Sequence, residues 1–129
     1  MGLTKEQILG TKPPVESVGW IDGGTVSVSA MSGTDRDSFE RESVTLTDDG
    51  DQYGFMDNFR ARLLVRCLVD DDGVRMFADI DADELGRVWC KPLDEAFAVG
   101  KRINGFTDAD IEELAKNSDG APNDSSGTT

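Results

Sequence analysis

The sequence contains no histidine, and this absence removes the side chain that proteins use most often as a general base and as a zinc ligand. Only two cysteines are present, Cys67 and Cys90, which are too few for a disulfide framework. No imidazole is available to activate either thiol. We therefore expect two reduced, buried thiols in a cytosolic protein and no catalytic nucleophile.

Basic residues are also scarce. The 13 Lys and Arg residues stand against 26 Asp and Glu residues, which gives a formal net charge of -13. This balance disfavours binding to nucleic acid phosphates and to anionic membranes, so a partner held by charge should be basic. No run of about 18 apolar residues and no secretory leader pattern is present. We expect a soluble protein that stays in the cytoplasm where it is made.

Candidate metal and cofactor motifs are incomplete. Three aspartates occupy alternate positions from Asp79 to Asp83, as at the start of a calcium loop, but Glu84 stands where that loop needs glycine. Cys90 stands where it needs a bidentate glutamate. Helix capping explains these aspartates better, and no glycine-rich phosphate loop is present. We therefore predict no catalytic residues, no metal and no cofactor, and hence no enzyme.

The longest apolar stretch runs from Phe55 to Val69. At helical period its apolar side chains cover most of the circumference and leave one polar stripe of Asn58, Arg62 and Arg66. A helix that is apolar nearly all round must be surrounded by other elements. This stretch is therefore predicted to be the central helix of the domain.

The segments before it predict a short helix and a hairpin. Thr4 and Gln7 have capping-box spacing, which predicts a helix over Lys5 to Leu9 whose apolar residues must dock on the domain. The runs Val15 to Ile21 and Thr25 to Ala30 flank an Asp-Gly-Gly turn, and the second run alternates apolar with polar residues. This pattern predicts a β-hairpin with one half-buried face.

The remaining segments are mostly helical. Caps and apolar spacing predict a helix over roughly Asp35 to Ser43, anchored by Met31, Phe39 and Val44, and then a surface loop over Thr45 to Gly54. After the central helix they predict a turn at Asp70 to Gly73 and a strand-like run over Val74 to Ala78. Three further helices are predicted: a short one after Asp81 that carries Leu85, Val88 and Trp89, one from Pro92 to Ile103, and a last one from Thr107 to Lys116. The fold class is α+β: a mainly helical small domain with an N-terminal β-hairpin, a third short strand left open, packed on the central helix. We predict that residues 1–117 form this single domain, and that residues 118–129 form a disordered tail because they contain no large side chain.

Two groups of side chains are candidates for contact with a partner. The arginine stripe is either a polar seam paired with local carboxylates such as Asp70 or a contact surface. Aromatic residues beside predicted turns and helix ends are either core residues or interaction hot spots. The predicted partner-binding residues are Trp20, Tyr53, Phe55, Arg62, Arg66 and Phe106.

Several strings, taken in chain order, resemble one known family. They are Leu3 to Leu9, Gly23 to Val28, Ser32 to Glu40, Arg60 to Leu64, Asp71 to Phe77 and Arg102 to Leu114. Together they span about Leu3 to Asn117, and the order resembles that of the small tail assembly chaperones of long-tailed, siphovirus-like bacteriophages. These strings are packing and capping patterns and contain no chemical signature.

The resemblance implies a non-enzymatic late protein in the cytoplasm of the infected host. Such chaperones coat the tape measure protein, keep its apolar helices from aggregating, help to recruit major tail tube subunits, and are absent from the mature virion. The implied partners also include a frameshifted longer form of the same protein, and self-association stays open. The helix from Leu93 to Ile103, thinned by Ala96 and Gly100, would form one wall of a client groove. Met31, Met56 and Met76 would line the groove or fill the core.

The second hypothesis is an acidic mimic that binds a host nucleic-acid-binding protein in place of DNA. Such a protein needs carboxylates along one face at phosphate-like spacing. In this sequence the acidic residues fall at predicted helix caps and turns, which favours the chaperone hypothesis.

Overall fold

Helices and a small antiparallel sheet make up the structure, a computed structural model that describes residues 2–46 and 58–117. In chain order the elements are α1 (Lys5–Leu9), β1 (Val15–Gly19), β2 (Thr25–Ser29), α2 (Gly33–Leu46), α3 (Phe59–Leu64), β3 (Leu68–Val69), a 3-10 turn (Asp79–Asp81), α4 (Ala82–Leu85), α5 (Cys90–Ile103) and α6 (Asp108–Asn117). The strands form one sheet in the order β1-β2-β3. The α+β prediction is therefore confirmed. The predicted loop is wrong at Thr45 and Leu46, which are the last two residues of α2. Residues 47–54 of that loop and the predicted tail over 118–129 lie outside the described residues.

Helix α1 begins at the predicted capping box. The Gln7 backbone N–H donates to Thr4 Oγ1 at 3.2 Å, and the Thr4 N–H donates to Gln7 Oε1 at 2.9 Å. The expected docking of its apolar residues is not found within the described part of the chain. Leu3, Ile8 and Leu9 are 66%, 57% and 74% exposed. Helix α1 therefore keeps its apolar face in solvent.

The predicted hairpin is confirmed. Strands β1 and β2 are antiparallel, with Val15 opposite Ser29 and Gly19 opposite Thr25. Asp22 and Gly23 both have positive φ angles, 53° and 78°, which the tight turn between the strands requires. Val28 is fully buried, so one face of the hairpin faces the core as its alternation predicted.

The predicted central helix is partly wrong. Within its described part, residues 58–69, the helix covers Phe59–Leu64; a turn follows, and Leu68–Val69 forms β3, which pairs antiparallel with β2. The Ser29 N–H donates to the Cys67 carbonyl oxygen at 2.7 Å. At this point the chain therefore forms hydrogen bonds with β2 instead of the expected hydrogen bonds within a helix. The predicted burial is confirmed, since every residue from 61 to 69 is buried. A continuous apolar run does not by itself distinguish a buried helix from a buried strand.

The third strand is therefore present, but not at Val74 to Ala78. That run contributes one bridge, between Arg75 and Val69, and is otherwise irregular. The turn before it is confirmed: Gly73 has a φ of 82°, and Asp70 Oδ1 accepts two backbone N–H groups of the turn at 2.9 and 3.0 Å. These side-chain hydrogen bonds close the turn and reverse the chain after β3.

Helix α2 is capped by Ser32, whose Oγ accepts the Asp35 N–H at 3.1 Å. Phe39 anchors α2 with no exposed surface, but Val44 is 47% exposed and does not serve as the expected anchor. Helix α4 ends at Leu85, so Trp89 is not on it as predicted. Trp89 precedes α5 and is 62% exposed.

Helix α5 follows the prediction closely but begins at Cys90, two residues before Pro92. It ends at Ile103, as predicted. Gly105 follows with a φ of 76°, and the Phe106 N–H donates to the Lys101 carbonyl oxygen at 2.9 Å. Helix α6 begins at a second capping box, in which Thr107 and Asp110 exchange hydrogen bonds of 2.9 and 3.0 Å.

The core surrounds α3. Phe39 of α2 lies between Phe59 and Phe106, with ring centroids 5.4 and 5.9 Å away, and Phe59 also contacts Phe97 of α5 at 5.6 Å. Edge-on aromatic pairs at such distances are favourable beyond the area that they bury. The side of α5 that carries Ala96 faces this core rather than a groove.

The two thiols differ, which corrects the expectation that both are buried. Cys67 is buried and Cys90 is exposed, and both are free. Burial raises the pKa of the Cys67 thiol to about 12, although the Asn104 side chain donates a hydrogen bond to its sulfur and opposes this shift. Cys67 therefore stays a neutral core side chain at ordinary pH.

Gly100 lies inside α5, and a Cβ added there would meet methyl groups of Leu63, Val28 and Leu64 at 3.6 to 3.8 Å, an ordinary packing distance. We expect Gly100→Ala to raise the free energy of unfolding by about 0.5–1 kcal/mol, because alanine loses less backbone entropy in a helix. Urea unfolding followed by circular dichroism measures this change.

Gly86→Ala is the matched control for that substitution. An added Cβ at Gly86 would lie 2.3 Å from Asn58 Oδ1, so we expect this variant to lose stability. A destabilised Gly100→Ala variant would contradict the packing described around α5.

Candidate functional site

The predicted arginine stripe points into the protein. Arg62 and Arg66 are each only 3% exposed, although they lie one turn apart on the segment that carries α3. Their guanidinium carbons lie over the ring of Phe39, each 5.7 Å from its centroid. Neither side chain is therefore an exposed contact surface, and the seam interpretation fits both.

Carboxylates of α2 and of the 3-10 turn neutralise these arginines. Arg66 Nη2 lies 3.1 Å from Glu42 Oε1 and 3.2 Å from Asp79 Oδ2, and Arg66 Nη1 donates to the Arg62 carbonyl oxygen at 2.7 Å. Arg62 Nη1 donates to Ser43 Oγ at 3.0 Å. The partners are Glu42 and Asp79 rather than the expected Asp70, because α2 packs directly against α3.

Asp79 also binds Arg75, whose Nη2 lies 2.7 Å from its Oδ1. Partial burial of Asp79 by itself raises the pKa of its carboxyl group. Hydrogen bonds from Arg75 and Ser38 and the charge of Arg66 outweigh that effect and hold the pKa below its ordinary value. The cluster formed by Glu42, Asp79 and their arginines thus ties α2, α3 and the 3-10 turn together.

The predicted aromatic contact residues are scattered. Phe106 is 5% exposed and packs in the core, with the Arg36 guanidinium carbon 4.0 Å from its ring centroid, so the expectation that it is exposed is wrong. Trp20 is half-buried and lies at the start of the hairpin turn. Tyr53 and Phe55 lie outside the described residues. Of the four described residues, Arg62, Arg66 and Phe106 all pack on Phe39 in the core rather than on the surface, and Trp20 lies at the hairpin turn.

A groove with a volume of about 530 Å³ lies between α3, α5 and α6. Its apolar lining consists of Phe59, Ala61, Leu93, Phe97 and Ile111. Helix α5 forms one wall of this groove through Leu93 and Phe97, and not through Ala96 and Gly100 as expected. Gly100 does not line this groove.

Of the three methionines named for this groove, the two that the structure describes do not line it. Met31 is half-buried and packs against the core. Met76 is 58% exposed on another part of the surface, and Met56 lies outside the described residues.

Both signs of charge surround the groove. Arg60 forms an ion pair with Asp94 on one side. On the other side Lys101 Nζ lies 2.8 Å from Asp108 Oδ1, and this hydrogen bond and charge lower the pKa of the Asp108 carboxyl group. Glu112 adds a further carboxylate to the α6 side. The groove is therefore an apolar channel with a polar rim, which is the usual composition of a protein-binding site.

Other apolar side chains of the described residues are also exposed, and two groups of them lie at places that sequence reasoning did not single out as surfaces. One is the face of α1, and the other is the region of Trp89 beside the hairpin turn. The signal for α1 was present in the sequence, since a helix of five residues cannot bury its apolar face without a partner. Trp89 was missed because the preceding helix was predicted to extend through it.

Within residues 2–46 and 58–117, no group of three or more His, Cys, Asp or Glu side chains is arranged to hold a metal ion. The helices of the same ranges are all too short or too polar to cross a membrane. The fold and its surfaces define a small α+β domain with an apolar groove. Comparison with family models, curated proteins and solved structures found no match for this chain.

Asp79→Asn tests the ionic cluster. A carboxyl group whose pKa is depressed on folding stabilises the protein above its unfolded pKa of about 3.9, and that contribution disappears as the pH falls through the folded value. We expect the variant to lose about 1–2 kcal/mol of unfolding free energy at neutral pH, a reduced effect because Asp79 is 43% exposed. The difference from the wild type should shrink below about pH 4. Urea unfolding at several pH values measures it, and a difference that grows in acid would contradict the assignment.

Proposed function

We propose that this protein is a tail assembly chaperone of a long-tailed bacteriophage. In this role it binds the tape measure protein without catalysis, keeps it soluble in the host cytoplasm, helps to recruit tail tube subunits and leaves before the virion is complete. The proposal is supported by the collinear resemblance over about Leu3 to Asn117 and by the open apolar groove between α3, α5 and α6. The groove is the observation on which the proposal chiefly rests, because a chaperone of apolar helices needs such a surface in its folded state.

The groove has the size and composition for one face of a client helix. A volume of about 530 Å³ holds a few aliphatic side chains, and an amphipathic helix presents such side chains at positions i, i+3 or i+4, and i+7. Phe59 and Phe97 supply aromatic surface at the floor and wall. The charged rim can pair with polar residues that flank the apolar stripe of a helix.

The exposed face of α1 is a second apolar surface for a client. Leu3, Ile8 and Leu9 present three large aliphatic side chains to solvent, joined to the domain through Pro13-Pro14. Single exposed apolar residues are common, but several on one short element are typical of an interaction surface. A long client that contacts both this face and the groove would be held more firmly than by either alone.

The charge of the chain suits the same role. A formal net charge of -13 repels other copies and keeps a complex with an aggregation-prone helix in solution. The competing hypothesis of an acidic DNA mimic has less support. Several carboxylates are used inside the fold: Asp70 closes a turn, Asp110 caps α6, and Glu42 and Asp79 neutralise buried arginines.

Co-expression tests the function directly. We expect the tape measure protein encoded by the same genome to remain in the soluble fraction when this protein is co-expressed, and to precipitate without it. Gel filtration of the soluble fraction should show both proteins in one complex. An unchanged amount of soluble tape measure protein would count against the proposal, and recovery of a host nuclease instead would favour the acidic mimic.

Ile111→Ser tests the groove. Ile111 is half-buried on α6 and lines the groove, so replacing it with serine removes apolar contact area. We expect about a tenfold weaker complex with the tape measure protein, which corresponds to the loss of one buried aliphatic side chain. Ile80→Ser is the matched control, because Ile80 is 86% exposed and lies outside the groove.

Thermal unfolding should first show that both variants are folded. Pull-down titrations then compare the affinities of the folded variants for the tape measure protein. If Ile111→Ser binds as tightly as the wild type, the groove is not part of the binding surface.

A further inference from the structure

A second cleft lies between the hairpin turn and the start of α5, with a volume of about 340 Å³. Trp20, Ile21 and Asp22 line it from the hairpin, and Trp89, Pro92 and Glu95 line it from the other side. Positions 92 and 95 of α5 point away from positions 93 and 97, since successive residues of a helix are about 100° apart. The cleft, here called the tryptophan cleft, is therefore separate from the groove of the proposed function.

The cleft contains both tryptophans of the chain. Trp89 is 62% exposed, and the neighbouring Ile21 is 48% exposed. Tryptophan offers the strongest cation-binding face among the aromatic side chains, and arginine stacks on it most often. An indole that stays this accessible beside a second indole is a suitable surface for a flat cationic group.

Two carboxylates without partners border the cleft. In the described ranges, the side chains of Asp22 and Glu95 form no hydrogen bond or ion pair, whereas many other carboxylates do. Lys91 is the only basic residue of the lining, so the cleft has a net negative charge. An acidic or purely apolar segment would remove water from these carboxylates without replacing its hydrogen bonds.

We propose that the tryptophan cleft binds a basic segment of a partner protein through an arginine side chain. The guanidinium group lies on the indole of Trp89 and donates hydrogen bonds to the carboxylates of Asp22 and Glu95, which accept in the planar geometry that arginine matches. The apolar stem of the arginine contacts Ile21, which is 48% exposed. This inference does not depend on the identity of the client that binds the groove.

Tryptophan fluorescence tests the proposal, because Trp20 and Trp89 are the only fluorescent indoles of the chain. The probe is a short synthetic peptide with two arginines spaced by glycine and proline, and its control has glutamine in place of each arginine. We expect a saturable change in emission with the arginine peptide and at least about tenfold weaker binding of the glutamine peptide. Added salt should weaken binding of the arginine peptide, since the carboxylates are exposed to solvent.

Variants locate the site by isothermal titration calorimetry. Trp89→Ala and Glu95→Gln should each weaken binding of the arginine peptide by about tenfold. Both positions are exposed, so the variants should still fold. Glu84→Gln is the matched control, since Glu84 is exposed on α4 and lines neither the groove nor the tryptophan cleft. Equal affinity for the two peptides, no saturation in the wild type, or equal loss in Glu84→Gln would each overturn the proposal.

Discussion

The burial of two arginines beneath α2 is the constraint on which the rest of the structure depends. A guanidinium group loses several kcal/mol of hydration when it is buried, so Arg62 and Arg66 can be buried only where carboxylates and carbonyl groups replace water. Glu42 and Asp79 supply those carboxylates, and both guanidinium groups lie over the ring of Phe39. The position of α2 over α3, and of the 3-10 turn beside them, follows from this requirement.

Because these charged side chains are buried, other side chains are exposed and available to contact a partner. Arg62 and Arg66, which the sequence left open as a polar seam or a contact surface, are in the core, while α1 and Trp89 hold apolar side chains in solvent. The groove between α3, α5 and α6 has the same character, with aromatic residues at its base and ion pairs at its rim. Three separate apolar surfaces on an acidic domain of this size are consistent with a protein that acts by binding other chains.

Elements defined by local interactions were predictable from the sequence. The capping boxes at Thr4 and Thr107, the hairpin turn at Asp22 and the stop at Gly105 all depend on contacts within a few residues, and each was found where it was predicted. The end of α3 and the pairing of Leu68 depend on β2, about forty residues earlier in the chain, and periodicity within one segment holds no information on such a neighbour.

The sequence by itself determined that the domain is α+β, that the stretch around α3 is buried, and where most helices begin, because these properties follow from local capping and from the amount of apolar surface. Only the tertiary structure decided that this stretch changes from helix to strand, that Arg62 and Arg66 face inward, and which apolar residues stay exposed. The physical reason is that burial of a charged or apolar side chain is set by what packs against it, and those partners come from distant parts of the chain.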